Sequence, residues 1–207
     1  MAGRKVHQRL IVRFRRAKAS VEFLRRSANT LLLQNGRYLA SSTDRTGFMR
    51  LFEGVTKDRV AIIGGGGTAR AALGALDGSA LEIDVLLRSS HRRDALSRIA
   101  QRSAVNFFGM DHSLRGYDLV IATVPSGVTD SIAANLDFQI PCFCEVLYKP
   151  FPTPLLAKAR SLGGRTLDGI DLLVEQAMDQ VAIFSGQTFE FGAMRSALQA
   201  VGREHLR

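Results

Sequence analysis

Only two cysteines occur in 207 residues, Cys142 and Cys144. That scarcity argues for a reducing, cytoplasmic compartment. In an apolar stretch the pair is expected to pack in the core, its thiols on opposite faces of a strand and so without a shared metal. No metal ligand set is expected elsewhere. No run of about 18 apolar residues exists, so no membrane-spanning helix and no membrane partner is expected. Internal repeats and low-complexity linkers are also missing. No acid precedes Glu22, whereas Arg4, Lys5, Arg9, Arg13, Arg15, Arg16 and Lys18 do, within a net charge of +9. Such an arm could bind nucleic acid or an anionic surface, and superficially it looks like an Arg-rich transit peptide. Phe14 is the one aromatic residue in the arm, which argues against base stacking and so against nucleic acid. An unpacked or partly ordered N-terminus is the preferred reading.

What is present is ordinary globular material, 46% hydrophobic and 23% charged, enough to bury a core. The organising stretch is Val60-Ala61-Ile62-Ile63-Gly64-Gly65-Gly66-Gly67-Thr68-Ala69-Arg70-Ala71-Ala72-Leu73. Four apolar residues lead into four glycines and then an Ala-rich helical pattern. Gly64, Gly66 and Ala69 fit the G-x-G-x-x-G/A fingerprint of a dinucleotide-binding βαβ unit. Gly64 allows a sharp turn off the strand, Gly66 lets backbone approach a pyrophosphate, and Ala69 keeps the helix near the sheet. The helix start then offers N–H groups and a positive dipole end to phosphates.

The chain before this stretch reads as a short helical piece after residue 21, then two extended segments around Asn35-Gly36, a β-hairpin signal. Thr43 or Asp44 could cap a helix running to about Glu53. Asp44 is therefore either that cap or a site carboxylate. From Lys57 onward strands and helices alternate. Strands are expected at Arg59–Ile63, Ala80–Leu87, Val105–Phe108, Asp118–Val124, Pro141–Leu147 and Arg165–Leu167. Helices are expected at Thr68–Leu76, His91–Gln101, Thr153–Leu162, Ile170–Phe184 and Phe191–Val201. Apolar runs alternating with helices argue for an α/β chain with a doubly wound parallel sheet.

The end of the second strand of that sheet discriminates between cofactors. An NAD site usually places Asp or Glu there, and an NADP site an Arg for the 2′-phosphate. Here the chain reads Leu87-Arg88-Ser89-Ser90-His91-Arg92-Arg93, with no acid. Arg88 and Arg92 can offer planar donor forks and Ser89 a hydroxyl, which favours NADP over a merely solvated basic loop. His91 reads as a surface residue at a helix start. Ligands in such sheets bind beyond the carboxyl ends of the strands. That points to Thr123–Gly127, to Leu147-Tyr148-Lys149-Pro150 and to Asp168-Gly169, where Tyr148 and Lys149 are either substrate contacts or plain loop residues.

Several of these segments together resemble the shikimate dehydrogenase family. Ala28-Asn29-Thr30-Leu31 resembles its A-V-N-T, and Ser42-Thr43-Asp44-Arg45-Thr46-Gly47-Phe48 its N-T-D-x-x-G-F. Gly64–Ala71 is similar to its G-A-G-G-A-A-R-A loop, and Arg88–Arg92 to R-T-x-x-R. Tyr148-Lys149-Pro150 with Thr153-Pro154-Leu155-Leu156 resembles Y-N-P followed by T-P-L-L. Asp168-Gly169, Leu172–Ala177 and Phe184-Ser185-Gly186 are similar to its D-G, M-L-V-x-Q and W-T-G. The match runs over about residues 25–200, in order. Any one motif is weak; the ordered set is specific.

The resemblance implies a Rossmann-type fold and reversible hydride transfer between NADPH and 3-dehydroshikimate, giving shikimate for chorismate and aromatic amino acid biosynthesis. By it, Asn29, Asp44, Tyr148 and Gln176 bind the polyol-acid substrate, with Asp44 the catalytic carboxylate. Gly64, Gly65, Gly66, Gly67 and Thr68 hold the pyrophosphate, Arg88, Ser89 and Arg92 the 2′-phosphate, and Leu147 and Gly169 lie near the nicotinamide. The implied organisation is 1–53, a remnant of the N-terminal substrate domain with the basic arm, then 54–170, the NADP-binding domain. Residues 171–207 are C-terminal helices packing back on the substrate domain. A homodimer is compatible with it. The chain departs from the family where a V-T-x-P-x-K segment carries a catalytic Lys: Lys5-Val6-His7-Gln8 does not reproduce it, and neither Lys5, His7 nor Lys18 is a supported stand-in. Ser42 stands for the family's Asn, and Ile121–Pro125 departs slightly from I-N-A-T-P. The alternative reading is therefore a non-catalytic NADP-binding remnant.

Overall fold

The computed structural model describes residues 28–205. The basic arm, Lys5–Gln8 and the helical piece expected after residue 21 lie outside them. The described chain opens with a hairpin, β1 (Thr30–Gln34) and β2 (Arg37–Ser41), paired antiparallel. Its turn holds Asn35 at φ 51° and Gly36 at φ 71°. Two consecutive left-handed residues make the tight turn whose twist matches paired strands, and Asn-Gly adopts it at low cost. Helix α1 (Thr43–Leu51) follows. Its cap corrects the sequence reading: Ser42 is the N-cap, Thr43 and Asp44 belong to the first turn, and Ser42 makes no side-chain cap bond.

Six parallel strands then form one sheet in the order β5-β4-β3-β6-β7-β8. They are β3 (Arg59–Ile63), β4 (Glu82–Leu86), β5 (Ala104–Phe108), β6 (Leu119–Ala122), β7 (Cys142–Glu145) and β8 (Arg165–Leu167). The strand order reverses direction between β3 and β6. Side-chain alternation splits each central strand between two cores. Val60, Ile62, Leu119 and Ile121 join one, with Phe48 of α1, its C-cap Phe52, and Ala72 and Leu73 of α2 (Gly67–Leu76). Ala61, Ile63, Val120, Ala122 and Phe143 join the other. There they meet α4 (Asp130–Asn135) and α5 (Pro154–Ser161) through Ala133, Leu155 and Leu156. Helices on both faces make the sheet doubly wound, as a buried parallel sheet requires.

Two local expectations need correction, and one helix is an addition to the sequence reading. Cys142 and Cys144 share one face, both in the α1–α2 core, because residues two apart in a strand point the same way. Among the described residues no His, Cys, Asp and Glu cluster could hold a metal. The helix expected over His91–Gln101 is a 3-10 turn (Ser90–Arg92) and a five-residue α3 (Arg93–Ser97). Helix α4 was not anticipated. None of the described helices is long and apolar enough to cross a membrane.

The chain ends in α6 (Gly169–Ser185) and α7 (Phe191–Glu204). Asp168 caps α6 through the N–H groups of Ile170 and Asp171, while Asp171 returns a bond to the Asp168 N–H. This reciprocal box satisfies amides that would otherwise be orphaned at a buried helix start. Helix α7 packs on α6 through Phe191, Met194 and Leu198 against Ile170, Val174 and Met178. Arg203 of α7 also reaches back to Asp168 at 2.8 Å and Asp171 at 2.6 Å. Helix α6 is in turn fixed to α1: Arg50 pairs with Glu175 at 2.8 Å and Asp179 at 3.0 Å, and Arg195 of α7 bonds the same Glu175. These pairs set the rotation of α6 against α1, which decides what Gln176 meets.

Candidate functional site

At the reversal between β3 and β6, Gly64 sits at φ +115°, and a Cβ there would lie 2.5 Å from Thr123 Oγ1. Thr123 Oγ1 itself donates to the Ile63 carbonyl at 2.9 Å. Both the left-handed backbone and the close approach therefore require glycine. A Cβ on Gly65 would meet Leu87 Cδ2 at 2.8 Å and Arg92 Cδ at 3.1 Å. Gly66 is the N-cap of α2, in extended backbone and with no side-chain cap; Gly67 and Thr68 form the first turn. The turn is thus narrow, bare of side chains, and aimed along a helix axis whose N-terminal end favours anions.

Just beyond β4, Arg88, Ser89, His91 and Arg92 are all exposed, and no acid follows until Asp94. Arg92 folds back over the glycine turn, its Nη1 3.9 Å from where a Gly66 Cβ would stand. Ser89 Oγ lies 2.8 Å from His91 Nδ1, and Arg92 Nε donates to His91 Nε2 at 3.3 Å. Glycine turn and basic loop, separated in sequence by α2 and β4, are one continuous surface at the carboxyl end of the sheet.

On the other side of the reversal, Gly169 packs onto the loop after β7: a Cβ would lie 2.6 Å from both the Val146 and Leu147 carbonyl oxygens. Leu147 and Gly169 are therefore neighbours, as a shared site needs. Beneath this loop Glu145 is buried, its carboxylate accepting from Thr153 Oγ1 at 3.0 Å and the Leu147 N–H at 3.4 Å. Burial pushes the Glu145 carboxyl up to about 7, the hydrogen bonds from Thr153, Leu147 and Val146 opposing it. An acid whose folded-state value is raised favours folding below its unfolded value, and that contribution is lost as pH rises through the folded one. Stability is thus expected to fall between about pH 4.5 and 7 by about 1–3 kcal/mol from this group. Urea unfolding of the wild type and Glu145→Gln at pH 5 and pH 8 checks it: the variant should lose most of the difference.

The third group of residues converges from three segments. Asn29, just before β1, donates through Nδ2 to Thr43 Oγ1 at 2.8 Å, Asp44 Oδ1 at 2.9 Å and Gln176 Oε1 at 2.9 Å. Its Oδ1 accepts from the Thr43 N–H at 2.8 Å. Gln180 Nε2 donates to Thr30 Oγ1 at 3.2 Å, and Thr46 Oγ1 bonds Asp179. An amide nitrogen has two protons, so three acceptors leave at least one oxygen open to a further donor. Half-burial pushes the Asp44 carboxyl above its ordinary value, the Asn29 hydrogen bond opposing it. A carboxylate, an amide carbonyl and hydroxyls held together in this way suit a ligand bearing several hydroxyl groups.

Asn29, Asp44 and Gln176 are therefore brought together, as are Gly64–Thr68 with Arg92, and Leu147 with Gly169. Tyr148 is half-exposed and makes no hydrogen bond to the Asn29 cluster among the described residues. Thr123 opens one of the segments expected beyond the strand ends, whereas Thr43 and Glu145 are site neighbours that the sequence reading did not single out as such. A carboxylate ending an otherwise apolar strand was the available signal for Glu145.

No family model matches the chain. It is 27% identical over 194 residues to the shikimate dehydrogenase (NADP(+)) of Shouchella clausii, covering 87% of this chain and 69% of that one. It is 32% identical over 163 residues to that of Rhizobium rhizogenes, covering 73% of this chain and 57% of the relative, less than two thirds of its length. Among solved structures, Mycobacterium tuberculosis shikimate dehydrogenase superposes with a TM-score of 0.80 at 32% identity, covering 90% of this chain and 73% of that one.

Proposed function

Since the chain belongs to the shikimate dehydrogenase family, we propose that it is an NADP-dependent oxidoreductase acting on shikimate. The reaction is hydride transfer between NADPH and the carbonyl of 3-dehydroshikimate, with a proton added at the carbonyl oxygen to give shikimate and NADP⁺. The observation that carries this reading is the meeting of Asn29, Asp44 and Gln176 at 2.9 Å from segments 15 and 147 residues apart in sequence.

In this reading residues 1–53 and 171–207 form the substrate side and residues 54–170 the cofactor side. Gly64, Gly65, Gly66, Gly67 and Thr68 hold the pyrophosphate at the start of α2, where side chains would obstruct it. Arg88, Ser89 and Arg92 bind the 2′-phosphate. Leu147 and Gly169 bound the nicotinamide pocket, and Tyr148 closes over the substrate from the neighbouring loop. Bound NADPH supplies the hydride. Asn29 and Gln176 orient the substrate hydroxyls, so that the reacting carbon is held against the ring rather than sampled by diffusion. Asp44, raised by burial, takes or returns the hydroxyl proton. A cytoplasmic enzyme of chorismate biosynthesis agrees with two reduced, buried cysteines.

A second reading is an NADP-binding protein without turnover. It is favoured by one observation: the 207 residues contain no V-T-x-P-x-K segment. Shikimate with NADP⁺, followed at the NADPH absorbance, separates the two. Steady turnover that depends on NADP⁺ supports the dehydrogenase; NADPH binding without turnover supports the second reading.

A further inference from the structure

His91 stands between two of the residues assigned to the 2′-phosphate, and its hydrogen bonds give it a direction. Arginine can only donate, so the 3.3 Å contact from Arg92 Nε makes His91 Nε2 an acceptor. A neutral imidazole then carries its proton on Nδ1. That nitrogen is 2.8 Å from Ser89 Oγ and must donate to it. With the ring N–H directed at its oxygen, the Ser89 hydroxyl keeps its own proton for another acceptor. The same contact holds Arg92, whose side chain lies across Gly65 and Gly66. One ring thus orders a hydroxyl donor and a guanidinium on the surface that also bears Arg88.

We propose that His91 is a positioning residue for a phosphate monoester on the cofactor's adenosine ribose, presenting Ser89 as a donor and holding Arg92 over the glycine turn. The inference rests on the NADP reading above. The other charged side chains on this loop and on α3, Arg88, Arg93 and Asp94, are exposed; Arg93 is turned over the Phe107 ring at 5.8 Å. None of them replaces the bridge between Ser89 and Arg92.

Binding of NADPH, NADH and 2′,5′-ADP to the full chain, by fluorescence and competition titration, tests the assignment. His91→Ala is expected to weaken NADPH and 2′,5′-ADP about tenfold and to leave NADH unchanged. His91→Asn, whose amide can replace the Nδ1–H donor to Ser89, should recover most of the loss. If the wild type prefers NADPH and His91→Ala keeps that preference in full, the inference is overturned and the NADP reading stands. A wild type that binds NADPH and NADH equally overturns both. A loss shared equally by NADPH and NADH makes His91 a structural part of the loop and also overturns the inference.

Discussion

Asp44→Asn is expected to slow NADP⁺-dependent shikimate oxidation by about 10²–10⁴-fold, with NADPH affinity unchanged. The substitution keeps the shape of the side chain and its contact with Asn29 Nδ2, now through an amide oxygen, so the hydrogen-bonded cluster persists. What disappears is a group that can take a proton. Half-burial prepares the carboxyl for that role by raising it above its ordinary value, toward the range where a base can both accept and release a proton. The wild-type oxidation rate should fall as pH drops through that raised value, because the protonated acid cannot accept. In the Asn variant the acid limb should flatten. Steady-state pH profiles of the two proteins, with calorimetric shikimate binding alongside, check this. An undiminished rate in the variant would remove Asp44 from the chemistry.

The second large effect concerns the cofactor. Arg88→Ala with Arg92→Ala is expected to weaken NADPH binding by about 10–100-fold without changing NADH. A hydrogen bond to a charged group contributes about 1.5–3 kcal/mol, and both guanidiniums are exposed and screened, so the pair together is expected to contribute about what one such bond does. Titration of the double variant with both dinucleotides distinguishes loss of a 2′-phosphate contact from general damage to the glycine turn. In the first case NADPH affinity falls to the NADH level. In the second both fall together, since Arg92 Cδ would stand only 3.1 Å from a Gly65 Cβ and helps shape that turn.

Much of the sheet was legible because buried parallel strands are apolar on both faces. Arg59–Ile63 and Arg165–Leu167 were read to the residue, and the hairpin announced itself through Asn35-Gly36. What failed was short or non-local. Helix α4 spans six residues between turns and lacks a full amphipathic repeat. The Arg- and Ser-rich run after β4 sustains only a five-residue α3. At α1, the apparent caps Thr43 and Asp44 are spent on Asn29 instead, so their side chains turn toward the site and the cap position passes to Ser42.

The site divides in the same way. The glycine turn and basic loop are contiguous motifs whose spacing carries their chemistry. Asn29, Asp44 and Gln176 carry no such local signal. Their contact spans 147 residues and depends on the Arg50–Glu175 and Arg50–Asp179 pairs that set the face α6 turns to α1. The resemblance to a family pointed to those residues; the fold shows how they meet.

We propose that this chain holds NADP by its 2′-phosphate at the end of β4. Fluorescence titration of the wild-type chain with NADPH and NADH at one fixed salt concentration tests it most directly. Affinity for NADPH should exceed that for NADH by about tenfold or more, with 2′,5′-ADP competing. Equal affinity for the two dinucleotides, or no competition by 2′,5′-ADP, would contradict it.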